Sequence, residues 1–113
     1  MNTVETATIV VVTDDDGDAS YLEQPGWEDR LAQYRNGDFG YVGVYLETKV
    51  RIHYGLDFIT TRVRTPGLWS IESDSGEDYF LSVADDEYWT LAQMLRELNC
   101  ATPVDIDRSI EYR

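Results

Sequence analysis

Carboxylates are the chemical groups this sequence supplies in excess. Seven lie between Asp14 and Asp29 with no base among them: Asp14, Asp15, Asp16, Asp18, Glu23, Glu28 and Asp29. Seven more lie between Glu72 and Glu87, again without a base: Glu72, Asp74, Glu77, Asp78, Asp85, Asp86 and Glu87. Carboxylates in this density suit general acid–base catalysis, divalent-cation binding or contact with a basic surface. For catalysis no one pair stands out, and a glycosidase-type pair needs a cleft that a small domain scarcely provides. Cys100 and His53 are the only residues of their kinds. Cys100 follows an expected helix end, where the dipole disfavours a thiolate, and His53 lies on a strand far away in sequence. One of each is too few for a zinc site within a single chain.

The first acidic segment also tests as a calcium loop. With Gly17 at loop position six, Asp14, Asp16, Asp18 and Glu23 fall at positions three, five, seven and twelve. Position one is then Val12, which cannot ligate, and no EF-hand helix precedes it. A helix-free calcium or magnesium loop in a metal-dependent enzyme is a third reading. No glycine-rich phosphate loop is present, because Gly40-Tyr41-Val42-Gly43 sits inside a strand pattern. The expectation is a non-enzymatic protein with no catalytic residues, cofactor or metal.

The remaining use of the acids is binding. The chain holds 9 Lys+Arg against 22 Asp+Glu, a net charge of −13. Such a field repels nucleic acid and anionic membranes and attracts basic proteins. General solubility accounts for the same surplus. The signs are nevertheless segregated: Lys49, Arg51, Arg62 and Arg64 concentrate in one hairpin and can share a sheet face. Two acidic segments on one side would imitate the phosphate rows of a duplex. A protein that normally gains from counterion release on nucleic acid would then accept this one. Tyr21, Trp27, Trp69, Tyr79, Tyr88 and Trp89 interleave with the acids and would anchor such a contact. For Trp27, Tyr88 and one of Trp69 or Trp89, core packing is the preferred reading.

These groups need elements to hold them. Thr6 to Val12 is dense in β-branched residues and predicts a buried strand. Pro25-Gly26 opens a helix to about Tyr34, with Asn36-Gly37 as its stop. From Gly40 to Tyr54, Val42, Val44, Leu46, Val50, Ile52 and Tyr54 alternate with Tyr41, Tyr45, Glu47, Lys49, Arg51 and His53. That is the period of a half-buried strand. Gly55-Leu56 turns it back into a strand from Asp57 to Thr65. Leu68 to Ile71 forms a short strand with Trp69 and Ile71 on one face. Ser75 caps a short helix to about Val83, and Asp85 caps a stronger one striped by Tyr88, Leu91, Ala92, Leu95 and Leu98. The tail 103–113 keeps Val104, Ile106, Ile110 and Tyr112 at even spacing. It reads as an edge strand, a homodimerisation arm or a frayed terminus. The fold class is α+β: a mainly antiparallel sheet of about four strands, with two or three helices packed on one face.

The 113 residues suit one domain, 1–113, and the 42% hydrophobic and 12% aromatic content separates the chain from disordered acidic sequences. The start Met1-Asn2-Thr3-Val4-Glu5 lacks a basic, apolar leader, no run reaches the ~20 apolar residues of a membrane helix, and a cytoplasmic setting is expected.

Gly67-Leu68-Trp69-Ser70-Ile71-Glu72-Ser73-Asp74-Ser75, followed by Tyr79, resembles a block in small uncharacterised proteins of phages, prophages and bacterial mobile elements. Asp18-Ala19-Ser20-Tyr21-Leu22, Arg30-Leu31-Ala32-Gln33-Tyr34 with Gly37-Asp38, and Tyr41-Val42-Gly43-Val44 extend the resemblance over residues 14 to 98. The family pattern carries Gly-Gly-Leu-Trp-Gly where this chain has Pro66-Gly67-Leu68-Trp69-Ser70. The resemblance implies a mobile-element setting, in which small acidic proteins block restriction or CRISPR complexes. The leading expectation is an anti-defence inhibitor that occupies the nucleic-acid-binding surface of a basic partner, with no direct contact to nucleic acid or membrane. The second is a structural or adaptor module, dimeric through its tail.

Overall fold

The structure is a computed structural model that describes all residues, Met1–Arg113. Its spine is the alternating stretch singled out above, which forms one long strand. In chain order the strands are β1 (Thr3–Val4), β2 (Ala7–Thr13), β3 (Tyr41–Tyr54), β4 (Asp57–Arg64), β5 (Leu68–Glu72) and β6 (Ile106–Tyr112). The helices are α1 (Glu28–Arg35) and α2 (Glu77–Glu97), and Ser20–Glu23 makes a 3-10 turn. The sheet has six strands in place of about four, and it is mixed but mostly antiparallel. On one side β3 pairs antiparallel with β1 and β2. On the other it pairs with β4 from Glu47 to Tyr54 and with β5 from Tyr41 to Val44. The tail is an edge strand: β6 lies parallel to β2, with Ala7 opposite Ile106 and Val11 opposite Tyr112.

The core lies between α2 and one sheet face. Ala7, Ile9 and Val11 of β2 and Val44, Leu46 and Val50 of β3 meet Phe80, Val83, Leu91 and Leu95 of α2. Burying one such side chain contributes about 2 kcal/mol. The two helices expected at 75–83 and from Asp85 are a single 21-residue helix. Asp85 is no cap: it is exposed in mid-helix and pairs with Arg108 of β6 at 2.5 Å. Ser75 is no cap either, since Gly76 holds that position and the Ser75 hydroxyl donates to Glu72 O at 2.6 Å.

The helices do not share one face. Tyr41 and Val42 point to opposite sides of β3. Val42 packs into the α2 core, whereas Tyr41 joins Leu22 and Phe39 in a second small cluster with Leu31 and Tyr34 of α1. α1 therefore packs at one end of the face that α2 leaves open.

The molecule is long. Its principal extents are 61 × 21 × 20 Å and its radius of gyration is 17.6 Å, against roughly 13 Å for a compact chain of this length. The length follows β3 and its hairpin with β4. The end of α2 reaches the level of His53, where Asn2 donates to Leu98 O and accepts from His53 N, so only the hairpin tip from Tyr54 to Phe58 extends beyond it as an arm. Tyr54 pairs with Asp57 across the two-residue turn Gly55-Leu56. Gly55 has φ +57°, which a two-residue hairpin turn with glycine at its first position requires.

Candidate functional site

The two acidic segments meet at the Tyr41 end of β3, and Arg30 joins them. Arg30 is the first base after the first segment and projects from α1. Its Nε donates to Glu72 Oε2 at 2.8 Å, and Nη2 also reaches that oxygen. Nη1 and Nη2 donate to the two Asp74 oxygens at 2.8 and 2.6 Å. The guanidinium also lies 3.6 Å from the centre of the Phe39 ring. This fork geometry suits two carboxylates at once. The Arg30 hydrogen bonds hold the Asp74 carboxyl below its ordinary value, and the same pairs raise Arg30.

Further ties bring the first segment onto β5. Asp14 Oδ2 accepts from Ser70 N at 2.8 Å, while its Oδ1 accepts from Asp16 N at 3.0 Å. Tyr21 OH donates to Glu72 Oε1 at 2.9 Å and lies 2.9 Å from Tyr41 OH. Burial, then these two partners, push the Tyr21 hydroxyl far above its ordinary value. Gly40 N donates to Ser73 Oγ at 2.9 Å. Asp18 accepts from Ser20 N, a bond that lowers its carboxyl, and the Glu28 carboxyl is lowered by its own backbone amide and then by Gly26 N.

The fourteen acids thus divide. Glu72, Asp74 and Asp85 are neutralised by arginines. Asp14, Asp18 and Glu28 accept from backbone amides. Asp15, Asp16, Glu23, Asp29, Glu77 and Asp78 are exposed and have no cationic partner. Asp85, Asp86 and Glu87 lie two to three turns along α2 from Glu77, and Asp85 turns toward β6, the opposite edge of the sheet from β5. One Glu87 oxygen is enclosed without a hydrogen-bond partner. No three His, Cys, Asp or Glu side chains converge as metal ligands would.

The tryptophans sit where the core reading did not put them. Trp27, Trp69 and Trp89 are all exposed, Trp89 at 72%, while Tyr88 does pack against the core. Trp69 lies flat on Gly43, where an added Cβ would come within 2.2 Å of the ring. It stacks near Tyr45 at 29° and donates Nε1–H to Pro66 O at 2.8 Å. Ser70 has φ +58°, a left-handed backbone that breaks the strand alternation. Trp69 and Ile71 consequently point to opposite faces, Ile71 into the α2 core. Leu68, Trp69, Tyr21 and Tyr79 line a groove along β5.

The basic residues do share a face. Lys49 stands opposite Arg62, and Glu47 opposite Arg64, on the side away from α2. Glu47, only 7% exposed, accepts from both Nη groups of Arg113 at 3.1 Å. That contact, followed by the field of Arg62 and Arg64, lowers the Glu47 carboxyl. Cys100 and His53 both border Asn2, which pairs with Cys100 and accepts from His53 N at 2.9 Å. The Cys100 thiol is buried and pushed upward by that burial, and the His53 ring lies beside Phe58.

Sequence reasoning missed Arg30, Tyr21 and Ser73 as the residues that join the segments. Their signal was a lone arginine at the border of a base-free run. Comparison with known families, characterised proteins and solved structures finds no match. No helix is long and apolar enough to cross a membrane.

Proposed function

We propose that the protein is a non-enzymatic inhibitor of phage or mobile-element origin whose acidic end occupies the nucleic-acid-binding surface of a basic host defence complex, of the restriction or CRISPR type. The carrying observation is the meeting of two base-free acidic segments at one end of β3, where exposed carboxylates from both lack cationic partners. A basic groove built for phosphates would find negative charge on both sides of a rigid centre. Trp27, Leu68, Trp69 and Tyr79, all exposed at this end, supply the large apolar side chains on which interface affinity concentrates. The resemblance over residues 14 to 98 supports the mobile-element setting.

The test is a pull-down and DNA-competition assay against candidate nuclease complexes. Reversal of Glu77 and Asp78 to lysine removes exposed charge and leaves the Arg30 pairs in place. It is expected to weaken inhibition at least tenfold and to reduce its salt dependence. Inhibition that survives this reversal unchanged overturns the mimicry.

A further inference from the structure

The exposed large apolar residues gather at opposite ends of the molecule. Tyr54, Leu56, Phe58 and Ile59 form the tip of the hairpin arm, with Leu56 wholly in solvent. Trp27, Leu68, Trp69 and Tyr79 lie at the acidic end. Only Met1, Trp89 and Tyr112 fall outside these two groups. Apolar patches of this kind on a soluble chain mark contact surfaces.

Shape and charge at the two ends are complementary. The arm has a short projecting apolar tip and, behind it, a cationic face that lies alongside β1. Residues 49–64 hold four cations and one acid, net +3, while the remaining residues hold five cations and twenty-one acids, net −16. Lys49, Arg51 and Arg64 have no carboxylate partner, and Arg62 reaches only Glu47, at 3.6 Å. The Arg51 guanidinium lies 4.7 Å from the centre of the Phe58 ring, so charge and apolar surface are joined there. The acidic end is the counterpart: a groove along β5 lined by Leu68, Trp69 and Tyr79, whose free negative charge comes from the unpaired Glu77 and Asp78 on its rim, Glu72 being held by Arg30. About 43 Å of strand rise separates the two ends of β3, so they cannot meet within one molecule.

We infer that the arm docks on the acidic end of a second copy of this chain. The apolar tip enters the groove along β5, and Lys49, Arg51 and Arg62 face its anionic rim. Two long molecules lying antiparallel make this contact twice, which closes a two-fold dimer and leaves no end free to polymerise. The inference concerns self-association and stands apart from any foreign partner of the acidic end.

Sedimentation of the full chain at roughly 100 µM in low salt is expected to show twice the 13.0 kDa chain mass. In roughly 0.5 M salt, where exposed charges are screened, the mass falls toward the monomer. Two charge-reversed proteins, one Lys49→Glu/Arg62→Glu and the other Glu77→Lys/Asp78→Lys, should each be monomeric alone and associate when mixed. The substituted side chains are exposed, and circular dichroism checks that both variants fold. Leu56→Asp should also dissociate the dimer. A wild-type monomer at every concentration and salt overturns the inference. So does a dimer indifferent to both reversals, or an arm that binds a single-stranded oligonucleotide while the protein stays monomeric.

Discussion

At the Tyr41 end of β3, five stretches of chain converge and are tied by side chains: the Asp14 loop, the 3-10 turn, α1, β5 and the start of β3 itself. At the Tyr54 end, two strands run out together and every side chain from His53 to Thr60 is exposed; beyond their own ladder, the Asn2 side chain ties them to the body, accepting from His53 N and donating to Leu98 O. The first region is anionic and cross-linked, and the second is cationic and bare. The difference shows where this sequence places its polar bonds. Carboxylates that would repel one another are held side by side because Arg30 and the amides of Asp16, Ser20 and Ser70 partner some of them. Beyond that tie, the hairpin tip rests on alternation and a glycine turn, which suffice where both faces are left to solvent.

The largest expected effect tests how tightly the anionic half is packed. Gly43→Val drives a side chain into the Trp69 ring and should cost about 2–3 kcal/mol in urea unfolding, with a shift in tryptophan emission. Gly55→Ala on the arm meets no atom within 4 Å and suffers only its left-handed backbone, a cost of about 1 kcal/mol. Equal losses at the two sites would erase the contrast.

Acid provides a second test. Asp74 and Glu47 have folded-state values below their ordinary 3.8 and 4.5, because Arg30 and Arg113 hold their ionised forms. A lowered carboxyl contributes stability that is fully present above its unfolded value. That stability is lost as pH falls through the lowered folded value. Protection of α1 amides should therefore weaken on acidification below 3.8, as Asp74 takes up a proton and releases Arg30. Hydrogen exchange reads this segment by segment, and Glu47→Gln should remove only the share that β3 contributes through Arg113. Loss of α1 protection at neutral pH would contradict the role given to Arg30.

Ser70→Gly gives the smallest effect and the opposite sign. Glycine accepts φ +58° without the Cβ penalty, so the variant should gain about 0.5 kcal/mol in thermal unfolding. A loss would mean that the Ser70 side chain contributes more than its backbone strain costs.

Much of this fold was legible because its strands alternate cleanly. β3 and β4 were bounded to within a residue by period-two pattern and the Gly55-Leu56 turn. β1, at two residues, is too short to carry a pattern. α2 was read as two helices because Asp85 is a plausible cap in sequence. Its mid-helix place depends on a continuous apolar stripe from Phe80 through Val83 and Ala84 to Leu91. The tryptophans misled for another reason: residue type favours burial, but Gly43 gives Trp69 a flat seat on the sheet surface. The meeting of the acidic segments was raised by the sequence but not decided by it, since no spacing ties residues 14–29 to residues 72–87. The reach of Arg30 across 42 and 44 residues of sequence decides it.

β3 runs unbroken from Tyr41 to Tyr54, with a paired neighbour along its whole length. No linker or hinge lies between the anionic and cationic poles, so the distance between them is a constant of the molecule rather than an average over conformations. The strand works as a caliper. A surface whose own anionic and cationic patches match that opening engages both poles at once, and one spaced differently meets a single pole at a time.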